Sequence, residues 1–531
     1  MRFKLNLFFL SIFSALILSL AWYWHLTIVI FFAFVPFLLL EDTISNSGQM
    51  AKRNLKLWAY AYLTFFIWNV LVTWWVVYAS FSGACMAFFA NSLLMSCVFL
   101  IFSLIKKRIA RPWAVWTLIP VWIAWEHIHT LWDISWTWLT LGNVFAFNHN
   151  WVQWYEFTGT SGGTLWILAV NILIFQILRN NASLKFFSKP VLKIAASIIL
   201  PILVSYSIVA LRTPLYKTAK KINTLIVQPN IDPYNDKFDS DYQLQFFKLL
   251  SILKNKIKST TDYLVLPETF IVDYIDEQSI NQCHQIQWFR DSLINKFPNL
   301  KIIAGANTFK NYAIEAEATS TARKDNQGGF YDVYNTALQI DKNRVEIYHK
   351  SKLVPGVEKM PFPFLLKPLE KFAINLGGTI GSLGIQDNRT NLTDNTHLVS
   401  VAPVVCYESV YADFVTEYVR KKANVIFIIT NDGWWDNTPG YLQHLNYARL
   451  RAIENRRQIA RCANTGISCF IDEFGTISKP TDWWKEATIE KDVYLNSNLT
   501  FFSRFGDLIS YACLIIAGLL ILMALFLKLK K

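Results

Sequence analysis

Residues 399–408 read Val-Ser-Val-Ala-Pro-Val-Val-Cys-Tyr-Glu, an apolar and β-branched run that ends in a thiol and a carboxylate. Similar runs that end in polar residues occur at 222–230, 262–270, 301–309 and 424–432. Stretches with helical character lie between them, at 240–258, 276–296, 409–422 and 440–456. This alternation predicts an α/β domain with buried strands. In such sheets, active sites gather beyond the carboxyl ends of the strands.

Three reactive residues lie at or near these strand ends. Glu268, in the motif LPET, can act as a general base, and Lys350, in YHK, can stabilise an oxyanion. Cys406, in CYE, lies where a strand meets the start of a helix, a position that favours the thiolate. Taken singly, each also fits an ordinary role, as a capping glutamate, a solvated lysine or an inert core cysteine. Together, in this order, they predict a nucleophilic site.

Both ends of the chain are apolar. Of the 531 residues, 53% are hydrophobic and only 17% are charged, whereas about 25% are charged in ordinary soluble domains. A bilayer core of about 30 Å needs about 20 apolar residues in a helix. The sequence predicts eight spans, at 6–22, 26–40, 57–79, 83–105, 112–130, 162–178, 191–211 and 507–527. The predicted organisation is a seven-helix membrane block over 1–212, a catalytic domain over 213–506, and a closing membrane helix with a basic tail over 507–531.

Basic residues mark alternate loops between the predicted spans. The second loop contains Lys52 and Arg53, whereas no Lys or Arg occurs between Arg111 and Arg179. Because cytoplasmic loops carry the excess of Lys and Arg, eight spans place both termini in the cytoplasm and residues 213–506 outside it. Many of the residues behind the formal net charge of +13 flank spans, so the charge gives little reason to expect a nucleic-acid partner.

The seven cysteines form no CxxC pair and have no partner histidines at metal-ligand spacing. We therefore expect neither a zinc site nor a disulfide framework. No cofactor motif is visible, and thiol chemistry of this kind needs no cofactor or metal. His444 is interpreted as a structural or substrate-positioning residue, because the sequence shows no nucleophile or metal ligand beside it.

Taken together, LPET, YHK and CYE resemble motifs of the nitrilase superfamily, whose members use a Glu-Lys-Cys triad on an αββα sandwich. With the eight predicted spans, the chain as a whole resembles the apolipoprotein N-acyltransferase family. The resemblance implies a nitrilase-like αββα sandwich attached to an α-helical bundle of eight transmembrane helices. It also implies that Glu268 is the base, Lys350 the triad lysine and Cys406 the nucleophile.

The resemblance further implies a set of supporting or substrate-binding residues, namely Phe238, Glu358, Tyr407, Glu408 and Trp434. The chain departs from the family pattern beside several of them. Phe238 stands where the family tends to have tryptophan, and residues 353–358 read LVPGVE where the family has LVPFGE. After Asn431 and Asp432, the chain has Gly-Trp-Trp in place of the usual family residues. These departures bear on the shape of the acyl pocket rather than on the triad. The apolar stretch 360–366 and Trp434 are interpreted either as an entry lid or as ordinary packing.

The implied reaction transfers a fatty acyl chain from a phospholipid to the N-terminal α-amine of the diacylglyceryl-cysteine of bacterial lipoproteins, through a thioester on Cys406. The implied partners are a phospholipid donor, a diacylated apolipoprotein acceptor and membrane lipid, and the enzyme is expected to be a monomer. The expected location is the bacterial cytoplasmic membrane, with the catalytic domain on the extracytoplasmic side. Two alternatives remain: a membrane-anchored nitrilase-type amidase, and a transporter or receptor with a degenerate outer domain.

Overall fold

The computed structural model describes residues 6–23, 26–46, 50–180, 188–234, 242–325, 328–359, 382–394 and 398–529. The chain divides into two compact units. The first, here called the helical unit, comprises Met1–Val77, Gly83–Arg212 and Phe505–Lys531. The second, the sandwich unit, comprises Tyr78–Ser82 and Thr213–Arg504.

The α-helices occur mainly at the two ends of the chain. In chain order they are α1 (Leu7–Ala21), α2 (Ile30–Ala33), α3 (Val35–Ser45), α4 (Met50–Thr73), α5 (Val76–Ala79), α6 (Phe81–Cys85), α7 (Asn91–Ile109), α8 (Leu118–Ile128), α9 (Tyr155–Arg179), α10 (Lys189–Leu211), α11 (Tyr242–Leu253), α12 (His284–Phe289), α13 (Ala412–Arg420), α14 (Pro439–Asn455), α15 (Phe501–Phe505) and α16 (Leu508–Leu529).

The strands formed by the described residues belong to the sandwich unit. They are β1 (Lys221–Gln228), β2 (Tyr263–Val265), β3 (Ile271–Asp276), β4 (Lys301–Tyr312), β5 (Arg323–Lys324), β6 (Phe330–Ile340), β7 (Val345–His349), β8 (Leu392–Thr393), β9 (Ser400–Val405), β10 (Val425–Thr430), β11 (Ile459–Ala463), β12 (Cys469–Ile471), β13 (Ile477–Ser478) and β14 (Ala487–Tyr494).

Within the described residues, six helical segments are long and apolar enough to cross a membrane: Thr27–Ser45, Lys52–Thr73, Gly83–Ile109, Tyr155–Arg179, Lys189–Lys217 and Leu508–Leu527. The other two predicted spans are shorter as α-helices. The span predicted at 6–22 is the 15-residue helix α1, and the span at 112–130 begins with the 3₁₀ segment Pro112–Thr117, which leaves 11 residues for α8. Because a 3₁₀ helix rises about 2 Å per residue, that segment and α8 together are about as long as a bilayer core.

The helical unit has a tightly packed interior that also holds a charge. The Phe37 and Phe99 rings stack with their centroids 3.9 Å apart. Glu41, at the end of α3, is fully buried, pairs with Lys106, and accepts a hydrogen bond from the Ser103 hydroxyl at 2.6 Å. Ionisable groups within a membrane segment are costly unless they are paired in this way. The pairing with Lys106 therefore explains how the helical unit tolerates a fully buried carboxylate.

The sandwich unit contains two sheets. Over the described residues, eight strands form the first sheet in the order β14-β1-β2-β4-β6-β5, with β3 paired to β4 and β7 paired to β6. Six strands form the second, in the order β13-β12-β11-β10-β9-β8. The sheets pack face to face, with the Cys462 thiol of β11 donating to the Val227 carbonyl of β1 at 3.2 Å and the Tyr263 ring meeting the Phe427 ring edge-on at 5.5 Å.

Helices cover the outer faces and complete an αββα arrangement. Apolar side chains of α11 and α12, such as Phe246 and Phe289, pack with Leu264 and Ile302 of the first sheet in one buried cluster. On the other side, α13 packs against β9 and against α14. The αββα sandwich and the apolar helical region predicted from the sequence are both confirmed.

Strand direction decides which residues meet at the edge of the first sheet. Strands β2 and β4 are parallel, β6 is antiparallel to β4, and β7 is antiparallel to β6. Strand β7 therefore runs in the same direction as β2. The residues just beyond β2, which include Glu268, and the residue just beyond β7, which is Lys350, consequently leave the sheet at the same edge.

The predicted helix over 276–296 is wrong as a single element. It consists of the 3₁₀ segment Glu277–Gln282, the short helix α12 and a π-helical turn at Arg290–Ile294. The Asp276 side chain accepts a hydrogen bond from the Gln278 N–H and starts the first segment, and Cys283 then has an extended backbone (φ −66°, ψ 143°) that ends it. One extended residue is enough to break the run of i to i−4 hydrogen bonds.

Candidate active site

Glu268 lies in a tight turn just after β2. The residue that follows it, Thr269, has a φ of 48°, which L-residues rarely adopt. The turn also passes close to β4, since a Cβ added at Gly305 would lie 2.3 Å from the Thr269 nitrogen and 2.5 Å from the Glu268 Cα. Glycine at 305 therefore gives the glutamate turn the space it occupies. The Glu268 residue is only 6% exposed.

Lys350 lies between two carboxylates. Its Nζ is 3.0 Å from Glu268 Oε1 and 2.8 Å from Glu358 Oε1, and the residue is 1% exposed. Burial lowers the pKa of Lys350, but the charges of Glu268 and Glu358 outweigh it, and the pKa ends well above its usual value. Lys350 therefore stays a cationic ammonium, suited to stabilising negative charge rather than to losing a proton.

Asn335, in the middle of β6, connects the same two carboxylates. Its Nδ2 donates to Glu268 Oε1 at 2.8 Å and to Glu358 Oε1 at 3.2 Å, and its backbone carbonyl accepts from the Lys350 N–H at 2.8 Å. Glu358 is further held by the Val354 N–H, which donates to its Oε2 at 2.8 Å. These bonds fix the orientation of both carboxylates relative to the ammonium. The sequence did not indicate Asn335, because a lone asparagine inside a strand forms no recognisable motif.

Cys406 occupies a sharp strand-to-helix junction. It directly follows β9, begins the 3₁₀ segment Cys406–Val410, and has a φ of 49°. Burial raises the pKa of the Cys406 thiol strongly, and the Glu268 charge raises it further, while Lys350 and a hydrogen bond from Thr430 lower it. These interactions bring the thiol into the same electrostatic environment as Glu268 and Lys350. The expectation that this junction favours the thiolate is therefore wrong, because burial raises the pKa and leaves the thiol protonated at neutral pH. Its attack on a substrate needs a base.

Glu408 connects the cysteine turn to the lysine turn. Its Oε2 accepts from the Val405 N–H at 2.8 Å, and its Oε1 accepts from the Ser351 N–H and the Tyr348 hydroxyl, each at 2.7 Å. Burial raises the pKa of Glu408, although these hydrogen bonds oppose the shift. Glu408 therefore binds the backbone beside both reactive residues and holds the two turns together.

The other predicted supporting residues are placed differently. Tyr407 is buried and packs edge-to-face against Tyr411, with ring centroids 5.2 Å apart. Trp434 is partly exposed, and its backbone carbonyl accepts from the Tyr234 hydroxyl at 2.8 Å. Phe238 lies outside the described residues, as does the predicted lid segment 360–366.

A second polar cluster lies behind Cys406. His444 Nε2 is 3.1 Å from the Cys406 carbonyl oxygen and 2.8 Å from the Ser409 Oγ, and His444 Nδ1 is 3.0 Å from Asp432 Oδ1. Arg461 Nη2 donates to Asp432 Oδ2 at 2.6 Å. The sequence suggested a positioning role for His444, but it gave no sign that Arg461 would meet the aspartate.

Chemically, the arrangement suits nucleophilic attack on an acyl group. It combines a protonated thiol, a carboxylate to take its proton, and a fixed ammonium to stabilise an oxyanion. Within the described residues, no group of three or more His, Cys, Asp or Glu side chains could hold a metal ion.

Two family models match the chain. One described as carbon-nitrogen hydrolase matches residues 225–497, which is just over half of the chain, and one described as apolipoprotein N-acyltransferase N-terminal domain matches residues 14–173. The apolipoprotein N-acyltransferase of Chlorobaculum tepidum is 29% identical over 533 residues, which cover 97% of this chain and 96% of that protein. That of Rickettsia typhi is 27% identical and covers 73% of this chain and 72% of its own.

Solved structures of other proteins also resemble part of the chain. Saccharomyces cerevisiae Nit3, a member of branch 10 of the nitrilase superfamily, is 15% identical with a TM-score of 0.34, and the match covers 52% of this chain and 90% of that one. An amidase from Nesterenkonia sp. is 14% identical with a TM-score of 0.34, covering 52% of this chain and 92% of its own.

Proposed function

The chain belongs to the carbon-nitrogen hydrolase family, and on that basis we propose that it is a membrane-bound acyltransferase that N-acylates lipoproteins. The observation that carries the proposal is the meeting of Glu268, Lys350 and the Cys406 turn in a chain that also has six span-length helices. A relative that matches 97% of the chain is named for this activity. A thiol enzyme of this kind acts on acyl groups through a covalent thioester.

In the first half-reaction, the Cys406 sulfur attacks the carbonyl carbon of a phospholipid ester. Glu268 takes the thiol proton as the carbon–sulfur bond forms, and the Lys350 ammonium stabilises the negative oxygen of the tetrahedral intermediate. A donor of this kind contributes about 3–4 kcal/mol to stabilising the transition state. When the intermediate collapses, the ester carbon–oxygen bond breaks, Glu268 returns the proton to the leaving oxygen, and a lysophospholipid departs.

In the second half-reaction, the neutral α-amine of the diacylated lipoprotein cysteine attacks the thioester. The carbon–nitrogen bond forms, the carbon–sulfur bond breaks, and Glu268 carries a proton from the amine to the sulfur. The products are an amide-linked third acyl chain and the regenerated thiol. Glu358 and Asn335 keep Glu268 and Lys350 aligned through both steps, since each lies within 3.2 Å of one of those two groups.

The membrane helices suit substrates of this class. Both acyl donor and acceptor carry long chains, and exposing each CH₂ group to water costs about 0.8 kcal/mol. We therefore assign the enzyme to the bacterial cytoplasmic membrane, with the sandwich unit on the extracytoplasmic side, in accord with the Lys and Arg in alternate loops. Because one chain supplies Glu268, Lys350 and Cys406, a monomer is sufficient for the reaction.

The amidase alternative is not favoured. An amidase would use the same residues but pass the acyl group to water. It would not explain the match of residues 14–173 to an apolipoprotein N-acyltransferase domain, nor the relative that matches 97% of the chain.

The test is intact mass spectrometry of the purified protein after incubation with phospholipid. We expect a mass increase of one acyl group that hydroxylamine removes and that is absent from Cys406→Ala. Cys469→Ala is the matched control, because Cys469 is another fully buried thiol of the same unit. Absence of the adduct from the wild-type chain would contradict the proposal.

A second incubation identifies the acceptor. When a diacylated lipopeptide is added, the acyl group should move from the protein to the peptide as a hydroxylamine-resistant amide. Release of free fatty acid at the same rate, with the peptide unmodified, would support a hydrolase instead.

A further inference from the structure

The Cys406 carbonyl oxygen accepts hydrogen bonds from two buried side chains. Ser409 Oγ donates to it at 2.8 Å, and His444 Nε2 lies 3.1 Å away. A carbonyl oxygen can only accept, so the Nε2 nitrogen must carry the hydrogen on this side of the ring. His444 is fully buried and comes from α14, whereas the carbonyl belongs to the turn after β9. A side chain from a separate element therefore fixes the orientation of this one peptide group.

Asp432 and Arg461 hold the ring from its other side. His444 Nδ1 is 3.0 Å from Asp432 Oδ1, and Arg461 Nη2 donates to Asp432 Oδ2 at 2.6 Å. Burial alone would raise the pKa of Asp432, but the charge of Arg461 and its contact with His444 bring the pKa well below its usual value. The aspartate is therefore ionised, and all three side chains are fully buried. Such a paired and enclosed network fixes the ring rigidly.

Ser409, His444 and Asp432 have the composition of a hydrolase triad, but they do not form a second nucleophilic site. Ser409 is 1% exposed, and its Oγ is engaged with the Cys406 carbonyl. A nucleophile must reach a substrate carbonyl, which this hydroxyl does not.

The planarity of the peptide bond gives these contacts a consequence at the reacting atoms. In a trans peptide, the C=O of one residue and the N–H of the next point in opposite directions, and the described chain contains no cis peptide. Fixing the Cys406 carbonyl toward His444 therefore directs the Tyr407 N–H to the opposite side. A backbone N–H directly after a nucleophile is well placed to stabilise the oxyanion of its tetrahedral intermediate.

The turn would not hold this peptide unaided. Cys406 has a φ of 49°, a backbone region that residues other than glycine rarely occupy. Such a conformation persists where the surrounding structure over-determines it. Here His444 and Ser409 hold the carbonyl of Cys406, and Glu408 holds the N–H of the preceding residue, Val405.

We propose that His444 is a positioning residue for the acyl transfer: through the Cys406 carbonyl it aims the Tyr407 N–H at the oxyanion. This inference rests on the proposed thioester chemistry. His444 touches no substrate atom in this role, and it acts on the two steps that form a tetrahedral oxyanion. It has no part in reactions of the thiol that form none.

Two substitutions separate the two nitrogens of the ring. The amide nitrogen of His444→Gln can occupy the Nε2 position and donate to the Cys406 carbonyl. The amide of His444→Asn reaches only the Nδ1 position, so it keeps the Asp432 contact but removes one of the two donors to the carbonyl and leaves only Ser409. His284→Asn is the control, because it makes the same substitution at an exposed histidine of the same unit.

Two rates are measured for each variant by intact mass, with Cys406→Ala as the blank. One is formation of the acyl-enzyme from phospholipid, which passes through an oxyanion. The other is alkylation by iodoacetamide at one alkaline pH, a displacement at a saturated carbon that forms no oxyanion. Loss of one oxyanion donor slows a reaction by about 10²–10³-fold, so we expect His444→Asn to slow acylation at least about 10-fold, with alkylation changed less than about 2-fold. His444→Gln should recover most of the acylation rate.

Equal losses of acylation and alkylation in His444→Asn would overturn the inference, because they would show that the whole turn had collapsed. Unchanged acylation in His444→Asn would also overturn it. So would failure of His444→Gln to exceed His444→Asn in acylation. If the wild-type chain forms no acyl-enzyme while iodoacetamide still alkylates Cys406, the proposed function and this inference both fail. If the wild-type chain is acylated and His444→Asn is acylated at the same rate, the inference fails but the proposed function stands.

Discussion

Replacing Glu268 by glutamine should change two properties of Cys406 in opposite directions. The negative charge of Glu268 is one of the causes that raise the pKa of the thiol, and Lys350 opposes it. Removing that charge should lower the thiol pKa and increase the thiolate fraction at every pH below the wild-type pKa. If Glu268 is the base, however, acyl-enzyme formation should fall by about 10²–10⁴-fold, the usual contribution of a general base. The variant would thus have a more ionised nucleophile and a slower reaction.

The substitution should leave the fold intact. Glutamine keeps the Oε1 oxygen that accepts from Asn335 at 2.8 Å and from Lys350 at 3.0 Å, and Lys350 keeps Glu358 at 2.8 Å as its counter-charge. Each of the two bonds changes from a charged to a neutral acceptor, which weakens it by about 1 kcal/mol. The free energy of unfolding should therefore fall by only about 2 kcal/mol.

Both properties can be measured on the same protein samples. The thiol pKa is obtained from the pH dependence of iodoacetamide alkylation at Cys406, and the acylation rate from the growth of the acyl adduct with phospholipid. Glu473→Gln is the matched control, because Glu473 is another buried carboxylate of the sandwich unit, accepting hydrogen bonds from Gln458 and the Leu215 N–H, and is not among the groups that shift the Cys406 pKa.

One result would refute the assignment of Glu268 as the base, and another would refute the effect of its charge on the Cys406 thiol. A Glu268→Gln variant that acylates at the wild-type rate would show that another group removes the proton. A thiol pKa that rises in the variant would show that the charge of Glu268 does not act on Cys406 in the direction given above.

Three further substitutions test the surroundings of the site. Lys350→Met leaves the buried Glu268 and the partly buried Glu358 without their cation, so the free energy of unfolding should fall by about 3–5 kcal/mol in denaturation experiments and acyl-enzyme should not form; a stable, active variant would contradict this. Glu408→Gln replaces one acceptor oxygen by an amide NH₂ group that cannot accept, so one buried donor loses its partner. The free energy of unfolding should fall by about 1–3 kcal/mol, and an unchanged unfolding midpoint would count against the connecting role of Glu408. Trp434→Ala should slow acylation by phospholipid about 10-fold but leave acylation by a short soluble thioester nearly unchanged, if the partly exposed ring contacts the acyl chain; equal slowing would rule out that contact.

Five strands of the sandwich, namely β1, β2, β4, β9 and β10, could be predicted because their runs are apolar and largely buried. Strand β10, for example, is buried at all six residues and was apparent as the run that precedes Asn431. Strand β14, with one buried residue in eight, was not predicted. The broken helix over 276–296 could not be predicted in the same way, since its apolar residues keep a helical spacing across the break. The interruption depends on the extended backbone of Cys283 and on the hydrogen bond from the Gln278 N–H to the Asp276 side chain, and neither changes the pattern of hydrophobicity.

The site shows the same limit. Glu268 and Cys406 could be located because each lies at the end of a predicted strand, and strand ends share an edge of the sheet. No strand was predicted before Lys350, whose role came from the resemblance of YHK to a nitrilase motif. Asn335 lies inside β6 and is distant in sequence from both carboxylates that it joins, so no local pattern marks it. Arg461 likewise sits in the middle of β11 and meets Asp432 only because β10 and β11 are parallel neighbours. Residues that position reactive groups from neighbouring strands become visible only when strand order is known.

The burial of the site bears on why the acyl group reaches an amine rather than water. Cys406 is 8% exposed and Lys350 1% exposed, so little of either residue meets solvent. A thioester in such surroundings reacts only with a nucleophile that can enter the site. An amine is a better nucleophile than water only when it is neutral and correctly oriented. The raised pKa of the Cys406 thiol fits this requirement, because a protonated thiol can stay uncharged in a dry site until Glu268 takes its proton at the moment of attack. An exposed, permanently ionised thiolate would react more readily without a bound donor, but the water around it would also hydrolyse the thioester before the lipoprotein amine arrived.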